Sequence, residues 1–423
     1  MNRVVVVIIF SLSVFKLMAQ DSITSAEVEP KSYQLYLDKK WSELIKYGNK
    51  ASKNGYDYFY LQMRIGIAYY ENKNYCLAEN HFKKALAFSS NDELALEYLY
   101  YCYVFTGRNE EARKLSKKFS TKLGDKIGTN KLSSTDFILF EGGTKITDSS
   151  SYYDKNTKAN SNYYNPALYI HAGIGSSIKN RVSVFSALTY FNQTTFTGIV
   201  SQFQYYLKSA IPVKNNWLIS PAFHWINVGH TAEIPVATTS VTPKSRPQGS
   251  PPAPQTQTIQ TNTNYFVGAF YIQKNINKFV LILGSTVSNM NGQTLLLHNG
   301  LISYSVLGNS RIVLGCTGYI HTVNSYSTIN NSVSPFVYVR PFKKMSVKVS
   351  YLENKGSNII EDNGYLVNNS GDLTTSRWSC LVNFNISNHF DLYGLYQFEN
   401  KEAAVQNFTY HYNVIVAGIK IIP

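Results

Sequence analysis

From about residue 136 onward the chain is written in short runs of alternating character, joined by connections that are alternately short and long. In Trp378-Ser379-Cys380-Leu381-Val382-Asn383-Phe384, mostly apolar and mostly polar residues take turns. Met345, Val347, Val349 and Tyr351 alternate with Ser346, Lys348 and Ser350, while Pro335, Val337, Val339 and Pro341 oppose Phe336, Tyr338 and Arg340. A period of two puts successive side chains on opposite faces of a strand. Such runs start near residues 136, 165, 181, 198, 216, 264, 278, 294, 311, 333, 345, 375, 389 and 409, about fourteen in all. One set of connections is tight: Lys179-Asn180, Val213-Lys214-Asn215-Asn216, Asn275-Ile276-Asn277, Gly308-Asn309-Ser310, Phe342-Lys343-Lys344 and Ser387-Asn388. The other set includes longer segments at 148–163, 233–262, 356–373 and 400–408.

One apolar face and one polar or tyrosine-bearing face suit a strand with lipid on one side and water on the other. Tight turns at one end and long loops at the other are the pattern of a transmembrane antiparallel β-barrel, expected here over 134–423 with about fourteen strands. The 33 Tyr and 23 Phe, against 16% charged residues, fit the aromatic girdles of such a barrel. A soluble β-sandwich also alternates and turns often, but it explains neither the tyrosine load nor the two classes of connection. The 233–262 segment, with Pro243, Pro247, Pro251, Pro252 and Pro254, lacks ladder donors and reads as an external loop, or as one folded inward to narrow the lumen.

The amino terminus reads as a secretory signal over residues 1–20. Arg3 precedes a largely apolar run from Val4 to Phe15, and small residues follow near Ala19 and Gln20. No later segment reaches eighteen consecutive apolar residues, the minimum for a membrane helix. These features predict an exported protein that crosses the outer membrane with strands. The net charge of +14 is scattered rather than striped, which argues against nucleic acid and for a solvated basic surface, or one facing lipid headgroups or an anionic glycan. Cys76, Cys102, Cys316 and Cys380 are too few for a disulfide framework in this length; packed thiols are expected, with a Cys76–Cys102 bridge as the alternative.

Residues 31 to about 120 carry the helical period instead. Ile65, Gly66, Tyr69, Ala78, Phe82 and Ala85 have counterparts thirty-four residues later at Leu99, Tyr103 and Ala112, and thirty-four earlier at Leu35, Leu44 and Ala51. Asn72-Lys73-Asn74 and Gly107-Arg108-Asn109 mark corresponding turns. Over 27–125 the segment resembles the tetratricopeptide family, although Gln62 and Ser90 stand where that family prefers Trp and Pro, and Ser116 replaces an aromatic in the last repeat. The resemblance implies a periplasmic stack of helix pairs whose groove binds a partner protein or exported cargo. The matching groove positions are Tyr60, Met63, Ile67 and Tyr70, then Glu97, Tyr101 and Val104; the alternative is that these residues form core or a docking surface against the next domain.

Nothing in the sequence frames catalysis. His171, His224, His298 and His321 lie in strand-like runs without a G-x-S-x-G elbow or metal-ligand spacing. Gly142-Gly143 and Gly173-Ile174-Gly175 do not precede a helix, as a phosphate loop must. A non-enzymatic protein without cofactor or metal is expected. Arg340 and Lys348 should face the lumen, either free to favour anionic cargo or paired to acids such as Asp391 and Glu141. The whole order is similar to the YaiO-type barrels and the surface-lipoprotein assembly modifiers; exopolysaccharide export porins share it but carry many more repeats. The resemblance implies a conduit or assembly factor, against the alternative of a plugged, docking barrel without transport.

Overall fold

The computed structural model describes residues 24–131, 134–147, 151–154, 159–162, 165–178, 182–195, 198–235, 256–290, 292–323, 328–356, 359–367, 372–402 and 409–423. The expected signal segment and the Lys179-Asn180 turn lie outside these. Among the described residues, seven helices precede a closed barrel of fourteen antiparallel strands. The chain divides into two compact units, one up to Tyr103 and one from Val104.

The helices are α1 (Ser25–Leu37), α2 (Trp41–Lys53), α3 (Phe59–Glu71), α4 (Tyr75–Phe88), α5 (Glu93–Phe105), α6 (Asn109–Ser116) and α7 (Thr121–Ile127). The thirty-four-residue period is present in the backbone as well as the side chains. Lys39, Lys73 and Gly107 take positive φ values of 54°, 57° and 75° at three corresponding turns. Each donates its N–H to the carbonyl three residues back, at Tyr36, Tyr70 and Val104, over 3.1, 2.8 and 3.1 Å. In the first unit, small side chains let the helices close: Ala51, Ala68, Ala78 and Ala85 are fully buried among Leu44, Leu61, Ile65 and Phe82. Arg64 ties α3 to α1 through Glu29 at 2.6 Å and Ser32 at 2.9 Å. The hydrogen bond it donates holds the Glu29 carboxyl below the usual carboxylate range.

Barrel strands alone are numbered: β1 (Thr135–Thr147), β2 (Ala167–Ile178), β3 (Val182–Thr195), β4 (Gly198–Pro212), β5 (Trp217–Pro235), β6 (Thr256–Ile276) and β7 (Phe279–Met290). They continue with β8 (Gln293–Ser305), β9 (Ile312–Val323), β10 (Thr328–Phe342), β11 (Met345–Glu353), β12 (Leu373–Asn385), β13 (Phe390–Glu402) and β14 (Thr409–Ile421). Each pairs with the next, and Ile138 opposite Ile421 closes the ring. Neighbouring residues show the sidedness. Ile170, Leu188, Val287, Val333 and Trp378 are exposed, whereas the adjacent His171, Thr189, Thr286, Ser332 and Arg377 are buried. Apolar outside and polar inside, with every ladder closed, is the strand solution to a bilayer.

Two loop expectations are corrected. The 233–262 segment was expected not to ladder, yet β5 and β6 run into it and Pro235 pairs with Thr256. Threonines at 256, 258, 261 and 263 favour extended backbone without needing a core; the proline-rich stretch itself lies outside the described residues. The second correction concerns 356–373, which the sequence places outside the barrel. Its described part folds into the lumen.

Candidate functional site

The inward segment lies between β11 and β12. Ile360 pairs with Val367 and Glu361 with Leu366, forming a minimal hairpin. Its tip, Asp362-Asn363-Gly364, holds three successive positive φ values of 46°, 61° and 84°. Short polar residues and glycine tolerate this conformation. A side chain at Gly364 would also press on Ala269 of β6, 3.3 Å away.

Three sets of contacts fix the hairpin. Ile359 and Ile360 are each only 1% exposed and join Ile226, Val267, Met290, Leu295, Leu297, Tyr319 and Leu352 in one apolar cluster. Glu361 is ion-paired with Arg377 of β12, and the Tyr319 hydroxyl lies 3.5 Å from the same carboxylate. At the tip, Tyr206 donates to the Asn363 carbonyl at 3.0 Å and His224 Nδ1 to the Gly364 carbonyl at 2.9 Å. The Tyr365 hydroxyl meets His171 Nε2 at 2.8 Å, and its ring packs against Tyr206, His171 and Phe185. These partners come from walls on different sides of the barrel, so the segment spans the lumen.

Around it the wall is charged. Glu399 lies 3.0 Å from Lys145, 3.9 Å from Lys401 and 3.9 Å from Arg377. Glu141 accepts hydrogen bonds from Tyr169 and Tyr393. His321 reaches Ser332 at 3.1 Å, but Ser332 donates to Asn354 at 2.6 Å. Asn354 in turn donates to the Gly356 and Thr374 carbonyls. The arrangement ties the roots of the loop together and does not activate a hydroxyl. Among the described residues no His/Cys/Asp/Glu cluster could hold a metal ion.

The turn end of the barrel carries a second feature within the same unit. From α6, Arg113 pairs with Asp136 of β1 at 2.5 Å and bonds Ser177 of β2. Lys114 donates to the Pro212 carbonyl of β4 at 3.0 Å, and Asn275 of β6 donates to Glu111 at 3.2 Å. The helix thus lies along an arc of the rim, and burial there pushes the Glu110 carboxyl up.

The residues singled out from sequence separate accordingly. Lys348 shares the lumen face with buried Ser346, and its ammonium lies 4.9 Å from the Phe336 ring centre. Arg340 is exposed and donates to Tyr338 at 3.3 Å. The acids proposed to pair with them are engaged elsewhere, Glu141 by tyrosines and Asp391 by Asn385 at 2.7 Å. The hairpin brings neither cation into its latch. Of the groove residues, Tyr60 is 62% exposed, whereas Met63 and Ile67 are buried. Tyr70 stacks edge-on with Tyr75 and Tyr98; Glu97, Tyr101 and Val104 are half-buried. None of the four cysteines is joined in a disulfide, and Cys76 and Cys102 are buried.

Sequence reasoning missed Glu361, Arg377 and Tyr365. A signal was present: two apolar pairs, Ile359-Ile360 and Leu366-Val367, flank a Asp-Asn-Gly turn, which reads as a hairpin even inside a loop.

No protein-family model matches the chain, and no curated protein matches it. Solved structures to which it is similar include a FadL homologue of Pseudomonas aeruginosa (8% identity, 68% of this chain and 90% of that one, TM-score 0.39). The Pseudomonas putida toluene transporter TodX is similar at 6% identity, over 68% of this chain and 89% of that one, with a TM-score of 0.43. The Acinetobacter baumannii outer membrane protein Omp33 is similar at 9% identity, over 69% and 100%, with a TM-score of 0.36.

Proposed function

We propose that this protein is a non-enzymatic outer-membrane conduit, closed at rest by its own Ile359–Val367 segment, whose helical unit recruits a periplasmic partner or cargo. The observation that carries this reading is the hairpin itself. It is an insert that belongs to no barrel strand, and its withdrawal leaves the fourteen-strand ladder intact. A permanent core has less need of a buried ion pair, which apolar packing equals or betters in stability. A pairing that can be exchanged suits a gate.

The helical unit supports the second half of the proposal through its thirty-four-residue period of turns and small-residue packing, the pattern of tetratricopeptide stacks. The domain limits proposed are a signal over 1–20, repeats over 27–125 and barrel over 134–423. Single-channel recording in planar bilayers tests the conduit. The native chain should be closed, and a variant with 357–371 replaced by a short Gly-Ser linker should conduct steadily. A linker variant that keeps heat-modifiable migration, the mark of a folded barrel, yet passes no current would replace this reading with that of a docking protein. A deletion testing the helical unit should end at residue 103, since α6 is bonded to the barrel rim.

A further inference from the structure

We propose that the lumen contains a binding site for a single-chain anionic amphiphile, an alkyl carboxylate, which the chain's own Ile359-Ile360-Glu361 occupies in this closed form. Lumen walls in water-filled barrels are polar. Here Ile226, Val267, Met290, Leu295, Leu297 and Leu352 point inward together, a patch with no use in a wetted pore and a cost if left bare. Its occupant is an apolar stretch followed directly by a carboxylate. That carboxylate is held by Arg377, and Arg377 stands opposite Leu352 in the β11–β12 register. The cationic anchor and the apolar wall are therefore contiguous, as an amphiphile's head and tail require.

The chemistry of the occupant is matched by the wall behind it. Without Glu361, Arg377 keeps only a looser contact with Glu399 at 3.9 Å, and Glu399 already faces Lys145 and Lys401. A guanidinium so placed favours a carboxylate that can accept from it directly. A neutral lipid would leave it with that looser contact alone, and a cationic amphiphile would be repelled. The proposal shares the hairpin with the conduit reading but does not need transport, because a ligand can displace Glu361 and remain bound.

The test uses the full chain in phosphatidylcholine nanodiscs, with dodecanoate carrying a terminal diazirine as the probe and peptide mass spectrometry as the readout. Illumination should label Met290, Leu295, Leu297 and Leu352. Labelling should rise roughly tenfold in Glu361→Gln, which weakens the internal competitor by one charge-assisted hydrogen bond. It should fall by a similar factor in Arg377→Met and recover in part in Arg377→Lys. Heat-modifiable migration checks each fold; should Arg377→Met not fold, the Glu361→Gln and Arg377→Lys pair decides. Label confined to the outward Leu283 and Val287 overturns the proposal. So does equal lumen labelling by a dodecyltrimethylammonium diazirine, or labelling unmoved by Glu361→Gln. Because the readout is binding, a silent channel in the conductance experiment leaves this result standing or falling by itself.

Discussion

Gly66→Ala sets two magnitudes against each other. Alanine in a helix interior is favoured over glycine by about 1 kcal/mol. A Cβ at position 66, however, would sit 2.8, 3.0 and 3.1 Å from three ring carbons of Phe82. That ring is fully buried and stacked on Tyr98, with centroids 5.0 Å apart and planes at 9°. It has nowhere to swing, so the helices must part by a few tenths of an ångström. Overpacking of this kind costs about 1–3 kcal/mol, and the net expectation is a loss of about 1 kcal/mol. For a helical unit of this size, that lowers the melting temperature by roughly 4–8 °C. Ellipticity at 222 nm, followed on heating the full chain in detergent, reads it. Phe82→Leu should relieve the clash, so that Gly66→Ala in that background becomes neutral or stabilising, a coupling that a double-mutant cycle isolates. If Gly66→Ala raises the melting temperature of the native chain, or if the two changes simply add, the close packing of α3 on α4 is wrong.

Other outcomes follow from the same structure. Burial lowers the His81 imidazole to about 4, with a smaller contribution from Lys84. Since the folded value lies below the unfolded one, this stability is complete above about pH 6.5 and lost as pH falls toward 4, amounting to about 3 kcal/mol. The helical melt should follow that window, and His81→Gln should flatten it. In the lumen, Glu361→Gln should shift the closed-to-open ratio by roughly tenfold or more, seen as a longer open time in single-channel records. Cys76 and Cys102 should react with an aromatic disulfide reagent only after unfolding; reaction in the native protein would contradict their burial.

Much of the architecture was legible because period is a strong signal. The switch from helical spacing to alternation is carried by many residues at once, and so is the contrast between tight turns such as Asn215-Asn216, both left-handed, and long connections. Single contacts were not legible. Gln62 stands where the tetratricopeptide pattern that the segment resembles prefers Trp, yet it is buried as a polar link, donating to Asp57 at 2.7 Å and facing His81 Nδ1 at 2.7 Å. Only three dimensions bring Asp57, Gln62 and His81 together. Arg340 and Lys348 stood out because their strands alternate cleanly; Arg377 precedes Trp378 in a run that alternates as clearly, but that Glu361, sixteen residues earlier, meets it inside the barrel is a tertiary fact. The 356–373 segment reads as external because its length places it in the set of long connections; that it carries its own two-residue ladder and apolar pairs, which pack inside the barrel, is a tertiary preference that length does not reveal.

The hairpin is tethered at both ends, to β11 and to β12, whose strands are themselves paired from Glu353 opposite Ser376. Its isoleucines therefore meet the lumen wall at an effective concentration in the millimolar range, as for any short intramolecular link. A diffusing molecule that seeks the same place competes against that standing concentration, and its apparent affinity is reduced in proportion. On the proposed gating, half-occupancy therefore moves to a higher solute concentration by that same factor, and the tether length sets how much solute opens the barrel.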